Sequence, residues 1–520
     1  MRYLLLTMLF VLAAGANRNA CAGDYLVLDL AGNLTGRNAA ERHDPYHAAA
    51  RRLAELRNGE IVAGDFRQLP ALLPVLKQKQ PHYVAVVVRP GDLDINLARA
   101  LLMLSTQVDD DPFVDFAYGF ITGDTPETAL ALAEAGVQSE KKRSKPSLAV
   151  AAVGTQMITK SGVYQQQFAL RKKSLPQLWG QIAGGENFAG VGRDAKFIKQ
   201  LMPQLPGHSL IMLAGHGYPA EIVGGPTWKD FEGLNFDGAV VLNIACYTGV
   251  TGRWFEDDQA NGVRHERTIP AGESVCLAVL RARPAAYVGY ACPRPAGPEL
   301  FMDVPALAAE GLSVGEVRRR DYNRVVLAHI AEGVTKLRTD EYADGDRIRP
   351  PRNIVRDLLL EMSTGGMLFG DPAFTPFAAQ PDEAPVEVTT HRNGERIAVT
   401  VAVRGQHLFF NCSEPLATWG DDQQQVLRLM ARLPLGQDRV AEVTVKELQA
   451  GEKIAARRLM WAVEEDHGER FLHVKVLFPQ PAAEKLATLQ AGARAVFEVV
   501  TTQDSDAAQT RFVGEEKSAP

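Results

Sequence analysis

Two side chains able to act together as a nucleophile and a proton carrier stand at the ends of apolar runs within Gly207–Gly252. Ser209-Leu-Ile-Met-Leu-Ala214 leads into Gly215-His216-Gly217, and Gly238-Ala-Val-Val-Leu-Asn-Ile-Ala245 leads into Cys246. A cysteine attacks a carbonyl through its thiolate, and a neighbouring imidazole supplies that character as ion-pair partner or general base. The tetrahedral intermediate then needs donors for its oxyanion. Gly217, with no side chain in the way, can present its backbone N–H beside that of Cys246, and Gly215 lets the chain turn sharply. This pattern gives His216 the proton, Cys246 the new bond and two amides the oxyanion. Taken singly, a His-Gly pair is common and a cysteine at a strand end is usually a small packed hydrophobe.

The elements that would position these residues follow from the apolar pattern. Short continuous apolar runs bounded by glycine suggest strands buried on both faces, as in a parallel sheet. In open α/β sheets the ligand site lies beyond the carboxyl ends of the strands. Around this centre the chain alternates strand and helix. Strands are expected at 24–30, 61–62, 82–88, 113–122, 147–153 and 285–291, with helices near 43–57, 65–80, 93–107, 125–136, 175–182, 194–202, 273–283, 298–311, 314–332 and 354–362. Such alternation implies an α/β fold. A polar, charged stretch at 137–146 divides it into a subdomain at 23–137 and one at 146–376 that carries His216 and Cys246. The segment from Cys246 to Gly272 reads as a long irregular loop, of the kind that is usually functional. From Pro381 the pattern becomes β-rich, at 386–390, 397–403, 408–411, 440–445, 471–478 and 495–501, which implies a small all-β sandwich over 381–503. A polar tail, 504–520, reads as disordered.

Residues 1–22 read as a signal peptide: Arg2, an apolar stretch from Tyr3 to Ala14, then Ala20-Cys21-Ala22 before Gly23. A lipid anchor on Cys21 is the weaker reading, because Arg18 stands where an aliphatic residue is wanted. The protein is therefore expected to be secreted or periplasmic, with no integral membrane segment after cleavage. Removing 1–22 removes Arg2 and Arg18 and no acids, so the net charge moves from −6 to −8. A mildly acidic chain whose basic stretches are as short as Glu140-Lys-Lys-Arg-Ser-Lys145 offers no footprint for nucleic acid. Cys246, Cys276, Cys292 and Cys412 remain, too few for a disulfide scaffold in 520 residues. Cys276, Cys292 and Cys412 read as buried hydrophobes or disulfide partners, with Cys276 and Cys292 able to pair.

Other motifs are weaker. Gly207-His-Ser-Leu-Ile211 lacks the final glycine of a nucleophile elbow, and no Walker A or dinucleotide-binding glycine pattern lies between a strand and a helix. His265-Glu266 lacks the second histidine of a zinc peptidase. His43 and His47, four apart at a helix start, read as helix surface, so no metal centre is expected. Asp109, Asp110, Asp111 and Asp115 are candidates for an acidic residue orienting the histidine, although a solvated turn or a structural calcium site is the plainer reading of each. Trp228, Trp254 and Glu256-Asp257-Asp258 lie near the dyad in sequence and either line a pocket for a basic side chain or, the preferred reading, lie on the surface.

A strand ending in His-Gly followed by a strand ending in Ala-Cys resembles the signature of clan CD cysteine peptidases, which include caspases, legumains, clostripain and gingipains. The separation here, 246 − 216 = 30 residues, is nearest the gingipains. Asp115-Phe-Ala-Tyr-Gly-Phe-Ile-Thr-Gly123 before a Thr-Pro-Glu helix start is similar to the segment closing their first subdomain. Glu273–Gly289, with Ser274, Ala278 and Ala286-Tyr-Val-Gly289, is similar to their following helix and strand, and Leu368-Phe-Gly-Asp-Pro372 to the stretch closing their catalytic domain. Together these cover roughly 24–376. The resemblance implies a caspase-like, three-layer α/β/α catalytic domain of two subdomains followed by an immunoglobulin-like sandwich. It also implies an exported cysteine endopeptidase using His216, Cys246 and the Gly217 and Cys246 amides on a protein or peptide substrate, with no cofactor required. Substrate-binding residues cannot be aligned. Unlike the long propeptide of gingipains, strand-like sequence begins directly after the signal here. A catalytically silent scaffold that binds protein partners, and an acyl transferase, are the alternative expectations.

Overall fold

Val, Ile, Leu and aromatic residues fill the short runs that the sequence marks as strands, and most of these runs are buried along their whole length. Such burial requires that both faces of the sheet be covered. The computed structural model describes residues 24–32, 44–142, 148–152, 202–258, 263–292, 307, 310–331, 366–379, 386–403, 426–436, 438–449, 458–479 and 493–502. The signal peptide with Cys21, His43, the helices expected at 175–182 and 354–362, most of those at 194–202 and 298–311, the strand at 408–411, Cys412 and the tail lie outside them.

In chain order the first layer holds β1 (Tyr25–Asp29), α1 (His47–Arg57), β2 (Glu60–Ala63), α2 (Leu73–Lys79), β3 (Tyr83–Val87), α3 (Ile95–Ser105), β4 (Ala117–Ile121) and α4 (Pro126–Glu140). The Thr125 hydroxyl caps α4 by accepting from the Thr128 amide, as Thr-Pro-Glu implies. Next come β5 (Leu148–Ala152), β6 (Leu210–Ala214), the short hairpin β7 (Gly217–Tyr218) and β8 (Glu221–Ile222), β9 (Val240–Asn243), β10 (Arg253–Asp258), β11 (Val263–Thr268), α5 (Val275–Arg281), β12 (Ala286–Tyr290), α6 (Val314–Ala331) and β13 (Gly366–Gly370).

Nine of these strands form one sheet in the order β2-β1-β3-β4-β13-β12-β9-β6-β5. Within β2-β1-β3-β4 and within β12-β9-β6-β5 all neighbours are parallel, whereas β12 and β13 pair antiparallel from Ala286↔Gly370 to Tyr290↔Gly366. Strand β13 also bridges β4 at Phe369↔Phe120, so it joins the β2-β1-β3-β4 half of the sheet to the β12-β9-β6-β5 half. Its end is fixed by Asp371, which is fully buried. The Asp371 carboxylate accepts from the Tyr25 hydroxyl at 2.8 Å, Arg57 Nε at 2.7 Å and the Ala373 amide at 3.0 Å. Arg57 also forks onto Glu140 of α4 at 2.9 and 3.0 Å. The Gly-Asp-Pro stretch thereby holds β1, α1 and α4 to the middle of the sheet.

The segment after Cys246 departs from expectation, because β10 and β11 form an antiparallel hairpin with Arg253↔Thr268 and Asp258↔Val263 in register. Its strands are polar and charged, with Glu256 paired to Arg267, so no apolar alternation marked them.

The β-rich end folds into two antiparallel sheets. Strands β14 (Val386–Asn393), β15 (Arg396–Val403), β17 (Arg439–Gln449) and β20 (Arg494–Thr502) take the order β14-β15-β20-β17. Strands β16 (Val426–Gly436), β18 (Arg458–Asp466) and β19 (Glu469–Pro479) take the order β16-β19-β18. Val399, Val401, Leu433, Trp461, Leu472 and Phe497 from both sheets share one core. An immunoglobulin domain instead places its fifth strand beside the second and its last beside the sixth. Here, among the described strands, the last lies beside the second and the fifth beside the sixth. Sequence reading missed β16, whose Pro434 argues against a strand, and β18, which ends in Glu464-Glu465-Asp466.

Those acids explain how the sandwich docks. The two-residue period of β18 puts Glu464 and Asp466 on one face. Buried Arg319 of α6 donates to Asp466 at 3.1 and 2.9 Å and lies 3.8 Å from Glu464. Arg432 donates to Glu464 at 2.8 Å and Asp466 at 2.6 Å, and His473 meets Glu464 at 2.6 Å. The Asn323 amide donates to Glu464 at 3.0 Å while its oxygen accepts from the Val114 amide at 2.8 Å. Burial opposes ionisation of Glu464, but His473, Arg432 and Arg319 outweigh it and hold the carboxyl down to about 2. Deleting one partner of such a cluster leaves an uncompensated buried charge. Arg319→Ala is expected to cost about 3–5 kcal/mol in urea unfolding of the full chain, and a loss below about 1 kcal/mol would contradict a charge-held interface.

Candidate active site

Strands β6 and β9 are neighbours in the sheet, parallel, with Leu213 opposite Asn243. The Ile244 amide donates to the Leu213 carbonyl at 2.9 Å, which carries the pairing to the ends of both strands. The Gly215-His216-Gly217 and Ala245-Cys246 segments therefore leave the sheet side by side. His216 is exposed, Cys246 half-buried and Gly217 buried. A Cβ built on Gly217 would lie 2.3 Å from the Cys246 carbonyl oxygen and 2.8 Å from the Ala245 Cβ. Only glycine permits this approach, and it fixes the His216 segment against the Cys246 peptide.

The remaining geometry of the His216 segment comes from the β7–β8 hairpin. The Val223 amide donates to the His216 carbonyl at 2.8 Å, and Gly217 then faces Ile222. Hydrogen-bonded and non-bonded pairs alternate in an antiparallel ladder, so the Gly217 amide turns away from β8. That orientation leaves it available to an external acceptor.

On the Cys246 side the loop is braced from beneath. Asn243 Oδ1 accepts from the Ala245 amide at 3.1 Å, and Asn243 Nδ2 donates to the Tyr287 hydroxyl at 3.2 Å. The Tyr287 hydroxyl donates to the Thr248 carbonyl at 2.7 Å, and Thr248 Oγ1 to the Ala245 carbonyl at 2.8 Å. Gly249 packs so tightly on Gly289 that a Cβ at Gly249 would come within 2.8 Å of the Gly289 carbonyl carbon. Between these anchors Tyr247 sits at φ 58°, a left-handed conformation costly for an aromatic residue. Such an outlier immediately after a nucleophile candidate marks a turn over-determined by its surroundings.

Helix α5 ties the two sides together. The Ser274 hydroxyl donates to the Val250 carbonyl at 2.6 Å and accepts from the Leu277 amide at 3.2 Å, while the Val275 amide donates to the Pro219 carbonyl at 2.8 Å. Farther along the Cys246 loop, Thr251 Oγ1 donates to the carbonyls of Pro90 and Leu93 at 2.7 and 3.1 Å. Arg253 pairs with Asp94. The site is thus held by both half-sheets.

Three aromatic rings pack together around Tyr247, the residue after Cys246. Tyr218 stacks on Tyr247 at 6.4 Å, and Tyr247 meets the Trp254 edge at 4.8 Å. Tyr218 is 51% exposed, the one large hydrophobic side chain so exposed among the described residues. Trp254 is therefore half-buried against Tyr247, the residue after Cys246, rather than plain surface. Trp228 is partly buried against the core, with Lys229 over its ring, and Glu256 is taken by Arg267. Asp257 and Asp258 contribute backbone to β10. Tyr218, Asn243, Tyr247, Ser274 and Tyr287 escaped sequence reading as site residues. The only available signal was the adjacency of Tyr247 and Tyr218 to the dyad.

The other candidates separate from the dyad. Cys276 and Cys292 are both buried and no disulfide joins them, and burial pushes the Cys276 thiol well up. His47 is not plain helix surface, since its Nδ1 lies 2.5 Å from the Asp29 carboxylate. Among the described residues no carboxylate bonds the His216 ring. Asp109, Asp111 and Asp115 gather with carboxylate oxygens within 4.8 Å of one another. Asp111 also accepts from the Glu465 amide of the sandwich at 2.5 Å. Burial, followed by the Asp109 and Asp111 charges, pushes Asp115 up to about 10. Protons or a cation must offset three carboxylates this close.

No family model and no curated protein matches the chain. Among solved structures it is similar to the complex of Porphyromonas gingivalis RgpB pro- and mature domains, at 12% identity and TM-score 0.41, over 75% of this chain and 89% of that one. It is also similar to a structure described as a protease, at 10% identity and TM-score 0.42, over 93% of this chain and 98% of that one. Likeness at this level transfers no residue role.

The carboxylate trio has a consequence for pH. A group whose folded pKa is raised binds its proton more tightly in the folded state. Its contribution to stability is present below the unfolded value near 4 and is lost as pH rises towards the folded one. Asp115→Asn removes that loss. In urea unfolding with chelator present, the variant is expected to be more stable than the parent at pH 8 by on the order of 1–3 kcal/mol, with the difference shrinking towards pH 4. An equal or smaller stability at pH 8 would refute the assignment.

Proposed function

We propose that the protein is an exported cysteine endopeptidase in which Cys246 and His216 form a catalytic dyad. The observation carrying this reading is the pairing of β6 with β9, which delivers an exposed imidazole segment and a half-buried thiol to adjacent positions at one sheet edge, locked by the Gly217–Cys246 contact. Thiols and imidazoles brought together in this way serve acyl chemistry. Export rests on the sequence pattern of residues 1–22. Among the described residues no helix is long and apolar enough to cross a membrane.

In the proposed reaction His216 accepts the Cys246 proton as Sγ bonds to the scissile carbonyl carbon. The oxyanion takes hydrogen bonds from the Gly217 and Cys246 amides. His216 returns the proton to the departing amine as the C–N bond breaks, leaving an acyl-enzyme. Water activated by the same imidazole then releases the acid and restores the thiol. The aromatic wall of Tyr218, Tyr247 and Trp254 would face the bound peptide.

A panel of fluorogenic peptides varied at the residue before the scissile bond tests this directly. The parent is expected to cleave after one residue class, and Cys246→Ala to lose about 10³-fold or more in kcat/KM. Cleavage that persists in Cys246→Ala, or a Cys246 inert to an acyloxymethyl ketone, would end the dyad reading and leave a binding scaffold. Product analysis with an added amine distinguishes hydrolysis from acyl transfer. Gly217→Ala drives a methyl group into the Cys246 carbonyl and is expected to lower kcat by about 10²-fold or more, while far-UV circular dichroism stays unchanged. Unaltered kcat would show that the close approach has no catalytic importance.

A further inference from the structure

At the edge of the interface between catalytic layer and sandwich, two imidazoles face each other. His82 stands just before β3, and His467 lies at the tip of the β18–β19 hairpin. Their Nδ1 atoms are 3.4 Å apart. Asp466 Oδ1 lies 2.6 Å from His467 Nδ1, and the three ligand-type atoms all fall within 4.8 Å of one another. We propose that His82, His467 and Asp466 bind one divalent transition-metal ion, zinc being the best fit, which clasps the sandwich to the catalytic layer.

The spacing is the first argument. Two imidazole nitrogens about 2.0–2.1 Å from a tetrahedral zinc lie about 3.4 Å from each other, which is the separation observed. The second argument is orientation. Metal-binding histidines characteristically anchor their other ring nitrogen on a carboxylate or a backbone carbonyl. His82 Nε2 points to Glu316 Oε1 at 3.4 Å, and that oxygen is buried with no hydrogen-bond partner. His467 hydrogen-bonds the Pro81 backbone. The His82 ring is thereby held from behind, and the Nδ1 atoms of the two rings face each other. Asp466 is held likewise, its Oδ2 by Arg319 and Arg432 and its Oδ1 by Arg319 at 3.1 Å, with Oδ1 also turned towards His467.

The third argument is backbone cost. His467 and Gly468 form the turn with φ 54° and 77°, the two-residue geometry that favours Asn-Gly. A histidine there works against the turn preference and gains nothing from burial. Ligand chemistry then selects the metal, since two imidazoles and one carboxylate suit zinc, cobalt or nickel rather than calcium or magnesium. The acids acting on the two histidines, Glu316 and Asp466, outnumber the one guanidinium there, Arg319, so a cation is electrostatically welcome. The His82 and His467 side chains are 29% and 24% exposed, open to an ion from solvent. Binding displaces the proton shared by His467 Nδ1 and Asp466 Oδ1 to solvent.

The test uses the full chain carrying Cys246→Ala, so that the candidate nucleophile cannot take zinc. After chelator treatment, zinc is added and metal content is read by mass spectrometry following desalting. Cobalt is titrated in parallel for its visible absorption. One equivalent of zinc, a rise in Tm with zinc, and a cobalt spectrum of nitrogen-containing, low-coordinate type are expected. His467→Gly keeps the left-handed turn and removes a ligand, and His82→Gln removes the other. Each is expected to weaken zinc binding about 10²-fold and abolish the Tm response, and Glu316→Gln to weaken binding about tenfold. Failure of the parent to retain zinc would overturn the site. So would retention and a Tm response unchanged in both His467→Gly and His82→Gln, which would place the metal elsewhere.

Discussion

One antiparallel strand pair makes this fold a single body. Without β13 the chain would hold two parallel half-sheets, each with an open edge at the place where they now meet. Strand β13, paired antiparallel to β12 and bridged to β4 at Phe369↔Phe120, fills the gap between them. The Asp371 carboxylate behind it is fully buried, which is tolerable only because Tyr25, Arg57 and a backbone amide all donate to it. The active-site segments depend on this seam indirectly. Strand β12 stands between β13 and β9, and its Tyr287 and Gly289 support the loop that carries Cys246.

The candidate site illustrates how a reactive pair is positioned by backbone contact more than by side-chain bonds. Gly217 lies where any Cβ would collide with the Cys246 peptide, and Gly249 lies equally close to Gly289. Both contacts exploit the missing side chain of glycine to bring chain against chain. Tyr247, in contrast, occupies a left-handed conformation despite its side chain. The hydrogen bonds of Asn243, Thr248 and Tyr287 on either side over-determine that turn, so local strain persists where the thiol must be presented.

The attachment of the sandwich follows a different physics. Its own core is apolar, but its contact with α6 is built from Arg319, Glu464, Asp466, Arg432 and His473. An apolar contact of similar volume would often be as stable. The buried charges instead demand one geometry, since each carboxylate oxygen has a designated donor and a slipped arrangement would leave charges unpaired. The two histidines at the rim of this contact extend the same logic to the proposed metal clasp.

Much of this was legible in the sequence because it rests on local periodicity. Continuous apolar runs bounded by glycine identified β1, β3, β6, β9 and β12, and Thr125-Pro126-Glu127 marked the start of α4. The neighbouring placement of the His216 and Cys246 segments followed from two such runs with reactive residues at their ends. What stayed hidden depends on partners distant in the chain. Strands β10 and β11 carry charges that pair only across their own hairpin. Strand β18 hides its role behind acids whose countercharges, Arg319 and Arg432, come from α6 and β16. Asp109, Asp111 and Asp115 looked like a solvated turn but gather against the amide of Glu465. Local sequence thus determined which segments are strands and where the reactive residues stand, because side-chain periodicity is a property of the segment itself. The tertiary structure alone decided the direction of β13, the order of the sandwich strands and the burial of charge, because each is settled by which distant group compensates an edge or an ion.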